Sequence, residues 1–425
     1  MSDQPDVPPA TPALDLPAEE EKGAVAPVAR ERIPREIWVL VAAAFVIAIG
    51  YGLITPVLPT FAQSFDVGAT ASSVVVSTFA FFRLIFAPAG GRLIGVLGER
   101  PVYLIGLLIV AGSTGATAFA QTYWQLVLFR GLGGIGSVMF TVSATALIVR
   151  LAPATIRGRV SSAYGSAFLL GGILGPLVGG GLGAFGLGVP FLGYAVMLLI
   201  AAAIVAVYVP ATSIRRPPGA PALPVFTVRR ALAYPAYRAG LASSLANGWA
   251  NFGVRNAIIP LYVGAVISTN PSVAGVVLAV FAAGNAVGLT LAGRLSDHRG
   301  RRPFIVIGLL VSGAATLATA VATTLPTLIA ISVIAGVGAG TLNPAAQAAM
   351  ADIVGRDRNG GPALAMYQMA SDLGAIVGPI IAGVLIDHGS YAHAFVVTGG
   401  IALAAALPWT RVPETLGMSA GADRR

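Results

Sequence analysis

Gly293-Arg294-Leu295-Ser296-Asp297-His298-Arg299-Gly300-Arg301-Arg302, residues 293–302, lies between two long apolar stretches and carries four arginines. The gaps on either side of those stretches carry no Lys or Arg. Outward from this segment the same alternation holds along the whole chain. Basic residues fall in the N-terminal tail (Lys22, Arg30, Arg32, Arg35), then at Arg92 and Arg100, and at Arg150, Arg157 and Arg159. They return at Arg215, Arg216, Arg229, Arg230 and Arg238, at Arg356 and Arg358, and at Arg411, Arg424 and Arg425. The intervening gaps hold none. Cytoplasmic loops of membrane proteins are enriched in Lys and Arg, and a helix needs about 20 apolar residues to cross a bilayer. The pattern therefore predicts an all-α integral membrane protein with twelve transmembrane helices and both termini cytoplasmic. The expected spans are 37–60, 72–95, 101–120, 123–149, 160–184, 189–209, 239–266, 272–294, 303–322, 326–350, 362–386 and 391–410.

Composition agrees. Apolar residues make up 56% of the chain and charged residues 10%, with mean hydropathy +0.83, which no soluble domain of this length tolerates. The net charge of +9 belongs to the cytoplasmic loops, where it meets anionic lipid headgroups, and not to a nucleic-acid surface. There is no cysteine, so disulfide and thiolate chemistry are excluded. Arginine is used almost to the exclusion of lysine, whose one instance is Lys22, and this points to a GC-rich bacterial genome. Residues 1–35 are rich in Pro, Ala and Glu and are expected to form a disordered cytoplasmic tail with no cleaved signal peptide.

The chain repeats itself. Tyr51-Gly52 through Leu58-Pro59 matches Phe252-Gly253 through Ile259-Pro260 at an offset of 201. Gly91 and Arg100-Pro101 match Gly293 and Arg302-Pro303 at 202, Gly175-Pro176 matches Gly378-Pro379 at 203, and Gly134-Ile135-Gly136 matches Gly338-Ala339-Gly340 at 204. Two pseudo-symmetric six-helix bundles follow, residues 36–211 and 237–412. A cytoplasmic linker, 212–236, joins them, and a cytoplasmic tail, 413–425, ends the chain. Parallel repeats of this kind place a substrate site between the halves near the bilayer midplane.

Four motifs resemble the major facilitator superfamily, in particular its twelve-helix drug:proton antiporters, over residues 36–412. The first span carries Ile49-Gly50 and, five residues on, Pro56-Val57-Leu58-Pro59. The fourth carries Arg130-x-x-x-Gly134-x-Gly136, and the fifth Gly171-x-x-x-Gly175-Pro176-x-x-Gly179-Gly180. The 8–9 loop carries Gly293-x-x-x-Asp297-x-x-Gly300-Arg301-Arg302. In the 2–3 loop Gly95 replaces the acid of that signature. The resemblance implies a gating role for Gly171, Gly175, Pro176, Gly180, Gly293, Asp297, Gly300, Arg301 and Arg302, and proton coupling through Arg130. It also implies a cavity lined by helices 1, 4, 7 and 10. Glycines spaced by four make a flat face for close helix packing, and Pro176 permits a bend. Ordinary packing is the competing reading of that face.

Charges inside a membrane span are costly and usually face an interior or a cavity. Here they are Arg83, Arg130, Arg255 and Asp372. Asn247, Asn251 and Arg255 recur every fourth residue on one helix face, as do Asn343 with Gln347 and Gln368 with Asp372. The expected substrate contacts are Tyr51, Asn247, Asn251, Arg255, Asn343, Gln347 and Gln368. The competing reading is structural hydrogen bonding between helices. A carboxylate that alternates between apolar surroundings and an arginine changes its proton affinity, so Asp372, with Arg83, joins Arg130 in the expected proton-coupling set. Arg83 and Asp372 lie at matching depth on spans 2 and 11 and are expected to pair between the halves.

Other chemistries fail. Gly131-x-Gly133-x-x-Gly136 lies in a span, not after a strand, so it is no dinucleotide loop. There is no Gly-Lys phosphate loop, no nucleophile elbow and no metal-ligand spacing among His298, His388 and His393. No cofactor, metal, nucleotide or nucleic acid is expected, and the chain is read as no enzyme. The leading expectation is a monomeric secondary transporter in the plasma membrane. It exports small amphipathic or drug-like molecules in exchange for protons. The alternative is a proton-coupled uptake symporter for a small neutral or anionic metabolite. A non-transporting membrane protein is the third reading.

Overall fold

A computed structural model describes residues 33–151, 157–209, 224–355, 358 and 360–416. The tail through residue 32, linker residues 212–223 and tail residues 417–425 lie outside the described residues. Twelve helices are long and apolar enough to cross a membrane. They are span 1 (Arg35–Ile54), 2 (Ala69–Leu97), 3 (Glu99–Thr117), 4 (Tyr123–Ile148), 5 (Ser162–Gly183) and 6 (Val189–Tyr208). After the linker come span 7 (Pro235–Ile267), 8 (Pro271–Arg299), 9 (Arg302–Thr319), 10 (Leu325–Val354), 11 (Gly361–Asp387) and 12 (Tyr391–Thr410). Lipid offers backbone groups no hydrogen bonds, so each span satisfies its own as a helix.

The boundaries depart from expectation where local chemistry intervenes. The first span ends at Ile54, not residue 60, and a separate short helix, Leu58–Gln63, follows the turn containing Pro56. Spans 2 and 8 continue past Arg92 and Arg294, because arginine is a good helix former once it reaches the interface. The linker contains a helix, Val228–Leu232, capped by the Thr227 hydroxyl. Span 7 is the most irregular. Gly248–Val254 and Val263–Ile267 are π-helical, a form that clusters at functional sites.

The turns after spans 2 and 8 are copies of one design. Gly98 and Gly300 have φ of 87° and 94°, a region open essentially to glycine, and each is followed by one residue and then Arg-Pro at the next helix start. The paired arginines do equivalent work. The Arg100 guanidinium donates to the Ala206 carbonyl at the end of span 6, and Arg302 donates to the Thr410 carbonyl at the end of span 12 at 2.6 Å. A cation there satisfies a carbonyl that the helix leaves unpaired.

In the N-terminal half, span 1 packs on spans 5 and 6, span 4 on spans 2 and 3, and span 3 on span 6. In the C-terminal half, span 7 packs on span 11, span 10 on spans 8 and 9, and span 12 on span 9. The halves meet along two seams, span 2 with span 11 and span 5 with span 8.

Both seams are tight away from the arginine-rich face and open toward it. At the far face a methyl added to Gly275 would lie 2.3 Å from the Pro176 carbonyl oxygen, and one on Gly383 2.6 Å from the Thr70 Cα. Ser272 Oγ donates to the Gly180 carbonyl at 3.2 Å, and Ser77 Oγ to the Ile376 carbonyl at 2.8 Å. Asp387 caps the start of span 2, accepting from Ala69 N (2.8 Å), Thr70 N (2.9 Å) and Thr70 Oγ1 (2.6 Å). Toward the arginines, a methyl added to Gly91, Gly95, Gly165 or Gly293 meets nothing within 4 Å. The close contacts between the halves named here thus lie at the face away from the arginines.

Candidate functional site

Glycine sets the approach of the helices that carry the polar groups. A methyl on Gly134 would lie 2.4 Å from the Phe79 carbonyl, so span 4 touches the backbone of span 2 there. This contact brings Arg130, 5% exposed, over the Phe79 ring, with its guanidinium carbon 4.6 Å from the ring centre. Tyr51 of span 1 packs on the same ring at 6.1 Å between centroids and is 40% exposed. Tyr51 and Tyr194 lie within electrostatic range of Arg130, and no acid does.

The second half repeats the theme with different helices. Arg255 of span 7 is 5% exposed and stands 3.9 Å above the Phe281 ring of span 8. Phe79 and Phe281 are related by the 202-residue offset of the repeat, whereas their arginines come from spans 4 and 7. Beside Arg255 runs a chain of amides. Asn251 Nδ2 donates to Asn247 Oδ1 at 2.9 Å, and Asn247 Nδ2 donates to Asn343 Oδ1 of span 10 at 3.0 Å. The four-residue stripe thus survives the π-helical turn that separates its members.

Among the described residues no acid pairs with either buried arginine. Nε of Arg130, Nε of Arg255 and Oδ1 of Asn251 are buried without a hydrogen-bond partner from the protein. A buried cation costs several kcal/mol, and an aromatic face returns roughly 0.5–2 kcal/mol.

Arg83 and Asp372 face each other across the seam of spans 2 and 11. They lie within electrostatic range but are not ion-paired. Instead Arg83 donates to Ser137 Oγ at 3.4 Å, and Gln368 donates to Asp372 at 3.3 Å. Both acid and base stand where the seam begins to open. Gln347 and Gln368 are exposed.

The loop signature works within its own half. Arg301 pairs with Asp297 of span 8 and, at 3.3 Å, with Asp352 of span 10. Glu414 closes the same corner by accepting backbone N–H groups of Arg301, Arg302, Thr415 and Leu416. Burial pushes that carboxyl up, but the four donors outweigh it and hold it below the usual glutamate range. The fifth-span glycines divide their labour. Methyls on Gly171, Gly175 and Gly179 would lie 2.5, 2.5 and 2.1 Å from span 1, which is packing within one half. Gly180 alone of the set faces span 8 across the seam.

Sequence reasoning missed Phe79, Phe281, Asp387, Asp352 and Glu414. The repeat offset would have found the two rings. Asp387 gives no local signal, since its partners lie more than 300 positions away.

The chain matches the family model described as Major Facilitator Superfamily over residues 40–264 and 241–421. It belongs to the major facilitator superfamily. Its twelve candidate membrane spans among the described residues fit a multi-pass membrane protein of that superfamily. Among curated relatives it is 38% identical over 148 residues to the class H tetracycline resistance protein of Pasteurella multocida, covering 34% of this chain and 37% of that one. It is 34% identical over 149 residues to the quinolone resistance protein NorA of Staphylococcus aureus, covering 34% and 38%. The matched region thus spans less than two-fifths of either relative. A bacterial homologue of the human lysosomal transporter Spinster, in an inward-facing and unoccupied conformation, superposes with a TM-score of 0.72. That match is at 18% identity and covers 88% of this chain and 95% of the other, so it speaks to the superfamily fold.

Proposed function

We propose that this transporter exports small amphipathic molecules across a bacterial plasma membrane in exchange for protons, as a monomer with both termini in the cytoplasm. The arginine-rich face is then cytoplasmic, and the structure corresponds to the inward-facing state that loads substrate. The two bundles, 36–211 and 237–412, alternate around a site formed by Tyr51, Asn247, Asn251, Arg255 and Asn343, with Gln347 and Gln368 at its mouth. The names of the relatives, both resistance proteins, favour export over uptake.

One observation carries the coupling. Asp372 and Arg83 come from opposite halves, face each other where the seam opens, and are unpaired in this state. Closing the cytoplasmic side brings them together, and a proton on Asp372 breaks the pair and returns the protein to this state. Each elementary charge crossing the membrane gains about 2.3 kcal/mol per 100 mV, enough for more than tenfold accumulation. The test is efflux from proteoliposomes with an imposed proton gradient, with internal pH recorded. Substrate movement that neither responds to the gradient nor changes internal pH would remove the coupling.

A further inference from the structure

The substrate class can be read more closely from the C-terminal cluster, an inference that rests on the site reading above. Three facts coincide at Arg255. Among the described residues its guanidinium pairs with no carboxylate, and no acidic side chain lies within electrostatic range of it. Its Nε is buried without a partner. Four residues earlier, Asn251 has spent its N–H on Asn247 and leaves Oδ1 buried and without a donor. Arg130 differs, since two phenols lie within its electrostatic range.

The amides increase in burial toward this point. Gln347 is exposed, Asn343 four residues before it is half-buried, and Asn247 and Asn251 are buried. A ligand entering along them meets amides first and the charge last. Phe281 occupies one face of the guanidinium, so an incoming anion meets its edge, where the N–H groups are.

We propose that the cluster is a carboxylate subsite. An anionic oxygen of the ligand accepts from Nε and an Nη of Arg255, in the fork geometry that suits a carboxylate. An N–H or O–H on an atom next to the carboxylate donates to Asn251 Oδ1. The amphipathic substrate is thus an aryl or alkyl acid with a neighbouring donor, such as an N-substituted amino acid, and not a lipophilic cation.

The test is binding to the full-length protein in detergent, read by dansyl fluorescence. Dansylglycine has a carboxylate next to a sulfonamide N–H. Its methyl ester lacks only the charge, and dansylcadaverine replaces the acid with an ammonium. Dansylglycine is expected to bind saturably and at least tenfold more tightly than either. Arg255→Gln is expected to weaken dansylglycine at least tenfold and leave the ester unchanged, while Arg255→Lys keeps part of the preference. Equal binding of acid and ester by the unaltered protein overturns the subsite without any variant. So does an undiminished acid preference in Arg255→Gln, or no saturable dansylglycine binding. Transport separates this idea from the export reading. Acid-selective binding without gradient-driven efflux upholds the subsite and defeats proton-coupled export. Gradient-driven efflux of dansylcadaverine with no preference for the acid does the reverse.

Discussion

Replacing Asp387 by alanine is expected to loosen the closed face of the transporter without touching the polar core. The carboxylate spans the two halves with three hydrogen bonds of 2.6–2.9 Å, all at the first turn of span 2. An N-cap side chain contributes about 0.5–2 kcal/mol. Asp387 is exposed to solvent, so water replaces part of what is lost, and a value near 1 kcal/mol is appropriate. This interaction exists only while the far face is closed, so its loss shifts the equilibrium toward opening there by roughly fivefold. Asp387→Asn keeps an acceptor but no charge and is expected to fall between the two. The absence of cysteine makes the measurement direct. Spin labels at Phe185→Cys and Val321→Cys, both highly exposed and on opposite halves at that face, report the separation by pulsed electron resonance. The long-distance population is expected to grow about fivefold in Asp387→Ala. An unchanged distance distribution in a folded variant would show that the cap does not hold the halves together.

Arg130→Ala is expected to abolish gradient-driven transport while the protein still inserts, and Arg130→Lys to rescue poorly because Lys lacks the planar five-donor fork; full transport by the alanine variant would make this arginine structural. Arg83→Asp combined with Asp372→Arg is expected to recover transport lost in either single variant, and crosslinking of the two positions is expected to increase when the cytoplasmic side closes. Glu414 has a depressed carboxyl, so its stabilising contribution is complete above the ordinary glutamate range and is lost as pH falls through its folded value. The melting-temperature gap between the unaltered protein and Glu414→Gln is therefore expected to be constant from pH 7 to about 5 and to close in more acid solution. Gly300→Ala forces a φ of 94° on alanine and sets a methyl 2.4 Å from the Glu414 carboxylate, so it is expected to cost about 1–3 kcal/mol, read as a lower melting temperature.

Much of the fold was legible because partition between lipid and water leaves its mark on every gap of the chain. Arginines in alternate gaps identified the spans, and the near-constant repeat offset identified the two bundles. What escaped was set by particular contacts. Nothing in the spacing of Asn247, Asn251 and Arg255 distinguishes an α-helix from one with π-helical turns, and both bring the amides together. The fifth-span glycines read as one motif, yet their neighbours show three packing on span 1 and Gly180 facing the other half. Asp297 stood out among arginines, but its partner is Arg301 of its own half, four positions on. The intramembrane polar residues were legible as candidates. Their lack of counter-ions was not, since that depends on which helices touch.

The glycine contacts at Pro176 and Gly275 give the molecule a mechanical character. Where two backbones touch without side chains between them, there is nothing to compress, and the contact acts as a fulcrum close to one face. From Pro176 to Gly165 the arm is eleven residues, ~16 Å at 1.5 Å per residue. A tilt of roughly 10° about that point moves the far end by about 3 Å, near the depth of one side-chain layer between packed helices. The leverage is unequal by position. If the halves rock as proposed, a single methyl at Gly275 is expected to jam the stroke, while the same methyl at Gly165 or Gly293 meets empty space in this state and is expected to act only when the stroke reverses.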